Sequence, residues 1–238
     1  MLDTDQIYLG DAVELIPQIA DTSIHLFLSD IPYGIGLDDW DVLHQNTNSA
    51  LLGKSPAQEG KAIFSRRGKP INGWCRADKE INQEYQQWCA KWAFPLFDKM
   101  VDGGQVLIFG ARRTIHRAIM ALENAGFLTK DVICWKKENF LQRNQAVSAV
   151  FDRRHDTHNS REWAGWKMGS LPPAYEPIAW MYKPYRSTIV DNLIENGVGA
   201  VNWQAFEKYG IQPSDIIPVG YEKHERKTSS SSKACTLA

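Results

Sequence analysis

The segment Asp30-Ile31-Pro32-Tyr33 sets a carboxylate, a proline carbonyl and a phenol ring side by side. It follows Ile24-His25-Leu26-Phe27-Leu28-Ser29, an apolar run of strand-forming residues. Leu26, Phe27 and Leu28 suit a strand buried on both faces, as in a parallel sheet. Pro32 cannot donate a ladder hydrogen bond and Gly34 permits a turn, so the strand must stop here. Asp30 and Tyr33 are then displayed at the carboxyl end of a buried strand, the edge at which open α/β sheets bind ligands. On its own, Asp-x-Pro-Tyr is as compatible with a turn that merely ends a strand.

The flanking segments supply elements to hold that edge. Gln6 to Leu9 alternates weakly and ends at Gly10-Asp11, which reads as a short strand and a turn. Ala12 to Ile19 reads as a helix, with Pro17 keeping it short or kinked. Ile81 to Asp98 places Tyr85, Trp88, Cys89, Trp92 and Leu96 at helical spacing, an apolar stripe for a core. Gly103-Gly104 reads as a tight turn before a second buried strand, Gln105 to Phe109. A helix from Thr114 to Ala125 then stops at Gly126 as at a C-cap glycine. Val132 to Trp135 reads as the next strand, and Ile216 to Val219 as a further short one. Strands alternating with one-sided helices predict an α/β fold with a mainly parallel sheet and helices on both faces. One glycine after Phe109 is not a Gly-x-Gly-x-x-Gly phosphate cradle.

With 238 residues the chain is long enough for a real core. Its 27 Lys plus Arg nearly balance 28 Asp plus Glu, so any nucleic-acid surface must be a local patch. Two polar stretches offer such patches. Residues 37–79 are irregular and carry Arg66, Arg67 and Lys69 beside Phe64 and Trp74; residues 138–173 carry Arg143, Arg153 and Arg154. Cations interleaved with aromatics suit phosphates and unstacked bases, although a solvated surface loop has the same composition. Cys75, Cys89, Cys134 and Cys235 form no Cys-x-x-Cys pair, and His155 and His158 lack further ligands, so no metal is expected. Without a signal sequence or an apolar run near the ~18 residues of a membrane span, a cytoplasmic protein is expected.

Several modest motifs in one order make a specific resemblance. Asp30-Ile31-Pro32-Tyr33 resembles the Asp-Pro-Pro-Tyr motif of the amino-group DNA methyltransferases, which use S-adenosylmethionine (AdoMet), with Ile31 in place of the usual first proline. Tyr8-Leu9-Gly10-Asp11 upstream, Asp102-Gly103-Gly104 through Phe109-Gly110, Asp131 to Lys136 and Tyr175 to Trp180 are similar to the same family. The resemblance covers about residues 6 to 224 and implies a Rossmann-like methyltransferase fold. It implies methyl transfer from AdoMet to the exocyclic amino group of adenine, or less favoured cytosine N4, in double-stranded DNA. An acidic residue leading the tetrad favours adenine. The chemistry matches the residue types, because an exocyclic amino nitrogen has its lone pair delocalised into the ring. Acceptors at the Asp30 side chain and the Pro32 carbonyl would hold its N–H groups and pull it toward tetrahedral geometry. Tyr33 would stack on the flipped base, worth roughly 1–3 kcal/mol. Asp11, Asp30 and Ile31 would face AdoMet, and Arg66, Arg67, Lys69, Arg143, Arg153 and Arg154 the DNA.

The resemblance also implies a His-Pro-x-Gln-Lys-Pro-like segment and a strand ending Phe-x-Gly-x-Gly, neither of which is in this sequence. Residues 1–220 are therefore expected to form a partial catalytic domain, with 37–79 and 138–173 as DNA-contact regions and 221–238 as a disordered tail. By family topology the strand before Asp11 and the strand ending at Asp30 would lose two strands between them, exposing sheet edges. Three outcomes stay open: a second polypeptide supplies the missing strands, the chain is an inactive truncated DNA-binding subunit, or the first strand pairs differently. A methyltransferase acting on RNA or a protein amide is a further alternative.

Overall fold

The computed structural model describes residues 2–34, 76–137, 144–168, 171 and 174–217. Arg66, Arg67, Lys69 and Arg143, most of the 37–79 segment and the 221–238 tail lie outside the described residues.

The first expectation to fail is the strand at Gln6–Leu9. These residues are extended but belong to no strand, and Ile7 and Leu9 are fully exposed. A strand needs a hydrogen-bonding neighbour, and none of the described strands pairs with this segment. Helix α1 (Ala12–Leu15) follows and tightens into a 3-10 turn at Ile16–Gln18, with Pro17 inside that turn. Proline so placed forces the short, broken helix that its position foretold.

Strand β1 spans Ile24–Asp30 and ends before Pro32 as expected. Helix α2 (Arg76–Lys99) begins earlier than the apolar stripe indicates, taking Arg76–Lys79 out of the presumed loop. Strand β2 (Met100–Phe109) likewise begins earlier, with Gly103 and Gly104 inside it rather than in a turn. Ile24 pairs with Met100 but Leu26 with Gln105, so β2 carries extra residues there as a bulge. Helix α3 (Ile115–Ala125) is capped by Gly126 as expected. Strand β3 (Leu128–Lys136) precedes α4 (Val147–Asp152) and α5 (Thr157–Glu162). Strand β4 (Tyr175–Tyr182), helices α6 (Ile189–Asn196) and α7 (Trp203–Lys208), and strand β5 (Ile216–Ile217) complete the described chain.

The sheet runs β1-β2-β4-β3-β5. β1 and β2 are parallel, whereas β2 and β4 are antiparallel, so the α/β sheet is mixed rather than mainly parallel. The described residues divide into two compact units, one within 2–134 and 177–215 and the other within 135–176 and 216–217.

In the first unit the core lies between the sheet and α2 with α3. Tyr85, Cys89, Trp92 and Leu96 from α2 and Ala118, Ala121 and Leu122 from α3 bury against Val106, Ile108, Ala179 and Met181 of the strands. The Phe27 ring stacks on Trp92, with centroids 5.9 Å apart. The α2 stripe is thus a core face, as its spacing indicates. Burial in this layer pushes the Cys89 thiol up to about 12, because a thiolate there would lose its hydration.

β1 itself is not buried on both faces. Leu26 and Leu28 are 38% and 46% exposed on the face away from Phe27. Phe27, on the opposite face, packs on Trp92 of α2; separately, β1 is the terminal strand among those described.

Candidate active site

The parallel pairing of Asp30 with Phe109 brings the carboxyl ends of β1 and β2 to one edge. Two connections leave that edge, the Ile31–Gly34 turn from β1 and the Gly110–Thr114 turn from β2. Ile31 is buried, whereas Asp30 is exposed and Tyr33 half-buried. Substitution of isoleucine for the family proline thus anchors the turn with an apolar side chain while Asp30 stays in solvent.

Two side chains hold the turn from beneath. The Tyr85 hydroxyl of α2 donates to the Pro32 carbonyl at 2.7 Å. The Thr114 hydroxyl, before α3, donates to the Tyr33 carbonyl at 2.7 Å. A carbonyl has two lone pairs, so Pro32 retains acceptor capacity beyond the Tyr85 bond. Gly34 closes the turn at φ 64° directly over the Tyr85 ring. A Cβ at Gly34 would stand 2.4 Å from Tyr85 Cδ2, so both the backbone conformation and the close approach require glycine.

Neither Tyr85 nor Thr114 is legible as a site residue in the sequence. Tyr85 sits in the aromatic stripe and has the look of plain core; only its hydroxyl distinguishes it from phenylalanine. Thr114 occupies a helix-start position, yet its side chain makes no capping bond to α3 and instead crosses to β1's turn. No local sequence signal announces either role, because each partner lies more than fifty residues away. Arg112 and Arg113 occupy the same β2 connection. Burial, with the charge of Arg112, holds the Arg113 guanidinium below its ordinary value.

Asp11 caps α1, its Oδ1 accepting from the Val13 N–H at 2.9 Å. The second carboxylate oxygen is not needed for that cap. In the other unit Arg153 and Arg154 are exposed, just past the end of α4. Among the described residues no group of three or more His, Cys, Asp or Glu could hold a metal ion, and no helix is long and apolar enough to cross a membrane.

A family model described as DNA methylase, of the N6/N4 amino-methyltransferase type, matches residues 24–234. The chain belongs to this DNA methylase family. It is 47% identical over 210 residues to the Type II methyltransferase M.HindIII of Haemophilus influenzae, a match covering 87% of this chain and 68% of that protein. Among solved structures it is similar to TTHA0409, a putative DNA modification methylase from Thermus thermophilus (14% identity, 89% of this chain and 66% of that chain, TM-score 0.45). The PvuII cytosine-N4-specific DNA methyltransferase matches at 13% identity over 95% of this chain and 58% of that chain, with a TM-score of 0.46. The methylase chain described here thus spans about two thirds of its curated relative, and less of PvuII. In this methylase the tetrad is the turn after β1, and the family match includes it together with Tyr85 and Thr114.

Proposed function

We propose that this methylase binds the target base of double-stranded DNA at the β1 edge and directs methyl transfer from AdoMet to the exocyclic amino group of adenine. The observation that carries the reading is the Asp30 carboxylate left exposed above a turn whose two carbonyls are pinned from below. Asp30 and the free lone pair of the Pro32 carbonyl are two acceptors, the number needed for the two hydrogens of one amino group. Half-buried Tyr33 offers its ring to the base that carries that group. An acid leading the tetrad favours adenine over cytosine N4.

AdoMet, when bound, would supply an electrophilic methyl to the amino nitrogen, which would then lose one proton to water at the exposed Asp30 edge. This chain's residues orient the nucleophile, and no strong general base is needed. Asp11, through its spare carboxylate oxygen, and Asp30 with the Ile31 backbone are the groups proposed to face the cofactor. Arg66, Arg67, Lys69, Arg143, Arg153 and Arg154 are proposed phosphate contacts. We further propose that a polypeptide segment bearing the Phe-x-Gly-x-Gly loop adds at the outer edge of β1, the terminal strand among those described, and covers Leu26 and Leu28 on its partly exposed face. A cytoplasmic location fits this role.

Titration calorimetry with AdoMet, on the chain alone and then with a polypeptide carrying that glycine loop, tests the reading. Binding that appears or strengthens with the added segment, accompanied by N6-methyladenine in DNA, is the expected result. Absence of both in the mixture would refute it.

A further inference from the structure

Residues 144–168 close on themselves, yet none of their side chains is fully buried. Ala146 and Lys167 form an isolated antiparallel bridge. Beside it Val147 N–H donates to the Trp166 carbonyl at 2.9 Å and Met168 N–H to the Gln145 carbonyl at 2.8 Å. Within this loop α5 is capped by Asp156, which accepts from the Asn159 N–H at 3.0 Å. The backbone is held by these bonds, but every side chain between 144 and 168 is half-buried or exposed. Such a module gains little from a core of its own and displays a surface instead.

That surface carries two indole rings. Trp163-Ala164-Gly165-Trp166 is a turn in which the Trp166 N–H donates to the Trp163 carbonyl at 3.2 Å. Gly165 takes φ 84°, the conformation of the third position of a type II turn, which disfavours any side chain. The turn sets the rings edge to face, centroids 5.4 Å apart, with Trp166 62% exposed and Trp163 38% exposed. Arg161 and Lys167 neighbour these rings in the chain, and α4, which packs on α5, ends at Arg153 and Arg154; all four cations are exposed and make no ion pair among the described residues. Of the acids in the loop, Asp156 is engaged in its cap and Glu162 lies 3.9 Å from His158, while Asp152 is exposed beside Arg153, leaving the four cations in excess. Cations without counter-ions beside exposed aromatic faces suit a polyanion with flat rings rather than an apolar protein surface.

We propose that Trp166, braced by Trp163, stacks on an unstacked base of DNA while Arg153, Arg154, Arg161 and Lys167 hold the flanking phosphates. This rests on the DNA reading above and adds a base contact in the second unit. Anisotropy of a labelled 30-nucleotide single strand and its duplex, bound to the full chain over a range of salt, tests it. Trp166→Ala should weaken single-strand binding by about 5- to 100-fold without changing the salt slope. Trp166→Tyr should restore most of the loss, and Arg153→Ala should lower the slope by about one instead. Since Trp166 is exposed, the thermal midpoint of Trp166→Ala should match that of the parent protein. Affinity within twofold of the parent, or a loss that Trp166→Tyr does not repair, would overturn the proposal. If the parent chain itself binds no DNA, the functional reading falls as well; if only Trp166→Ala is without effect, that reading survives.

Discussion

The two faces of β1 differ in kind. On one, Phe27 stacks on Trp92, and α2 and α3 seal the layer with fully buried side chains. On the other, Leu26 and Leu28 are only partly covered at positions paired with Gln105 and Leu107. The tetrad turn at the end of the strand is held from the packed face, through Tyr85 and Thr114. The geometry proposed to hold the target base is therefore built into the described residues, while the opposite face keeps Leu26 and Leu28 partly exposed. In the language of energies, substitutions on one face should be costly and on the other nearly silent.

The largest effect should come from Trp92→Ala, which empties the centre of the packed face. A loss of about 3–5 kcal/mol in urea unfolding is expected, and a loss under about 1 kcal/mol would mean the two faces are energetically alike. Gly34→Ala should follow, at about 2–4 kcal/mol, because it combines a left-handed φ with a Cβ driven into the Tyr85 ring. Its base binding, measured by anisotropy, should fall with it. Tyr85→Phe keeps the ring and removes one hydrogen bond to the Pro32 carbonyl, costing about 1 kcal/mol. It sharpens the comparison if methyl transfer falls more than stability does, since the turn would then have shifted without the core. Leu28→Ser on the bare face should change the unfolding free energy by no more than about 0.5 kcal/mol. It should nonetheless weaken association with a polypeptide that adds to β1, which a pull-down with that polypeptide reads directly.

Much of the packed face was legible in the chain. The α2 stripe, the Gly126 cap and the stop after Asp30 each follow from local rules: period, glycine conformation and proline's missing donor. What escaped was non-local. The bulge that draws Gly103 and Gly104 into β2 depends on registration with Ile24, which no window of sequence contains. Gln6–Leu9 has a strand's composition, but a strand is a relation to a neighbour, and its composition cannot supply one. Leu26-Phe27-Leu28 has the same composition whether one face or both are covered, so expecting both faces buried overreached. Asp30, Pro32 and Tyr33 were found from their motif, but their supports Tyr85 and Thr114 were not. Both look like ordinary core or cap residues until the fold brings them beneath the turn.

The central claim is that Asp30 grips the amino group of a base swung out of its helix. Its most direct test follows methyl incorporation from labelled AdoMet into DNA, with the nucleoside product identified, for the parent chain and Asp30→Ala, each supplied with the glycine-loop segment. The account predicts N6-methyladenine from the parent, at least a ~100-fold slower rate for Asp30→Ala, and DNA affinity within about twofold. Undiminished methyl transfer by Asp30→Ala would contradict it.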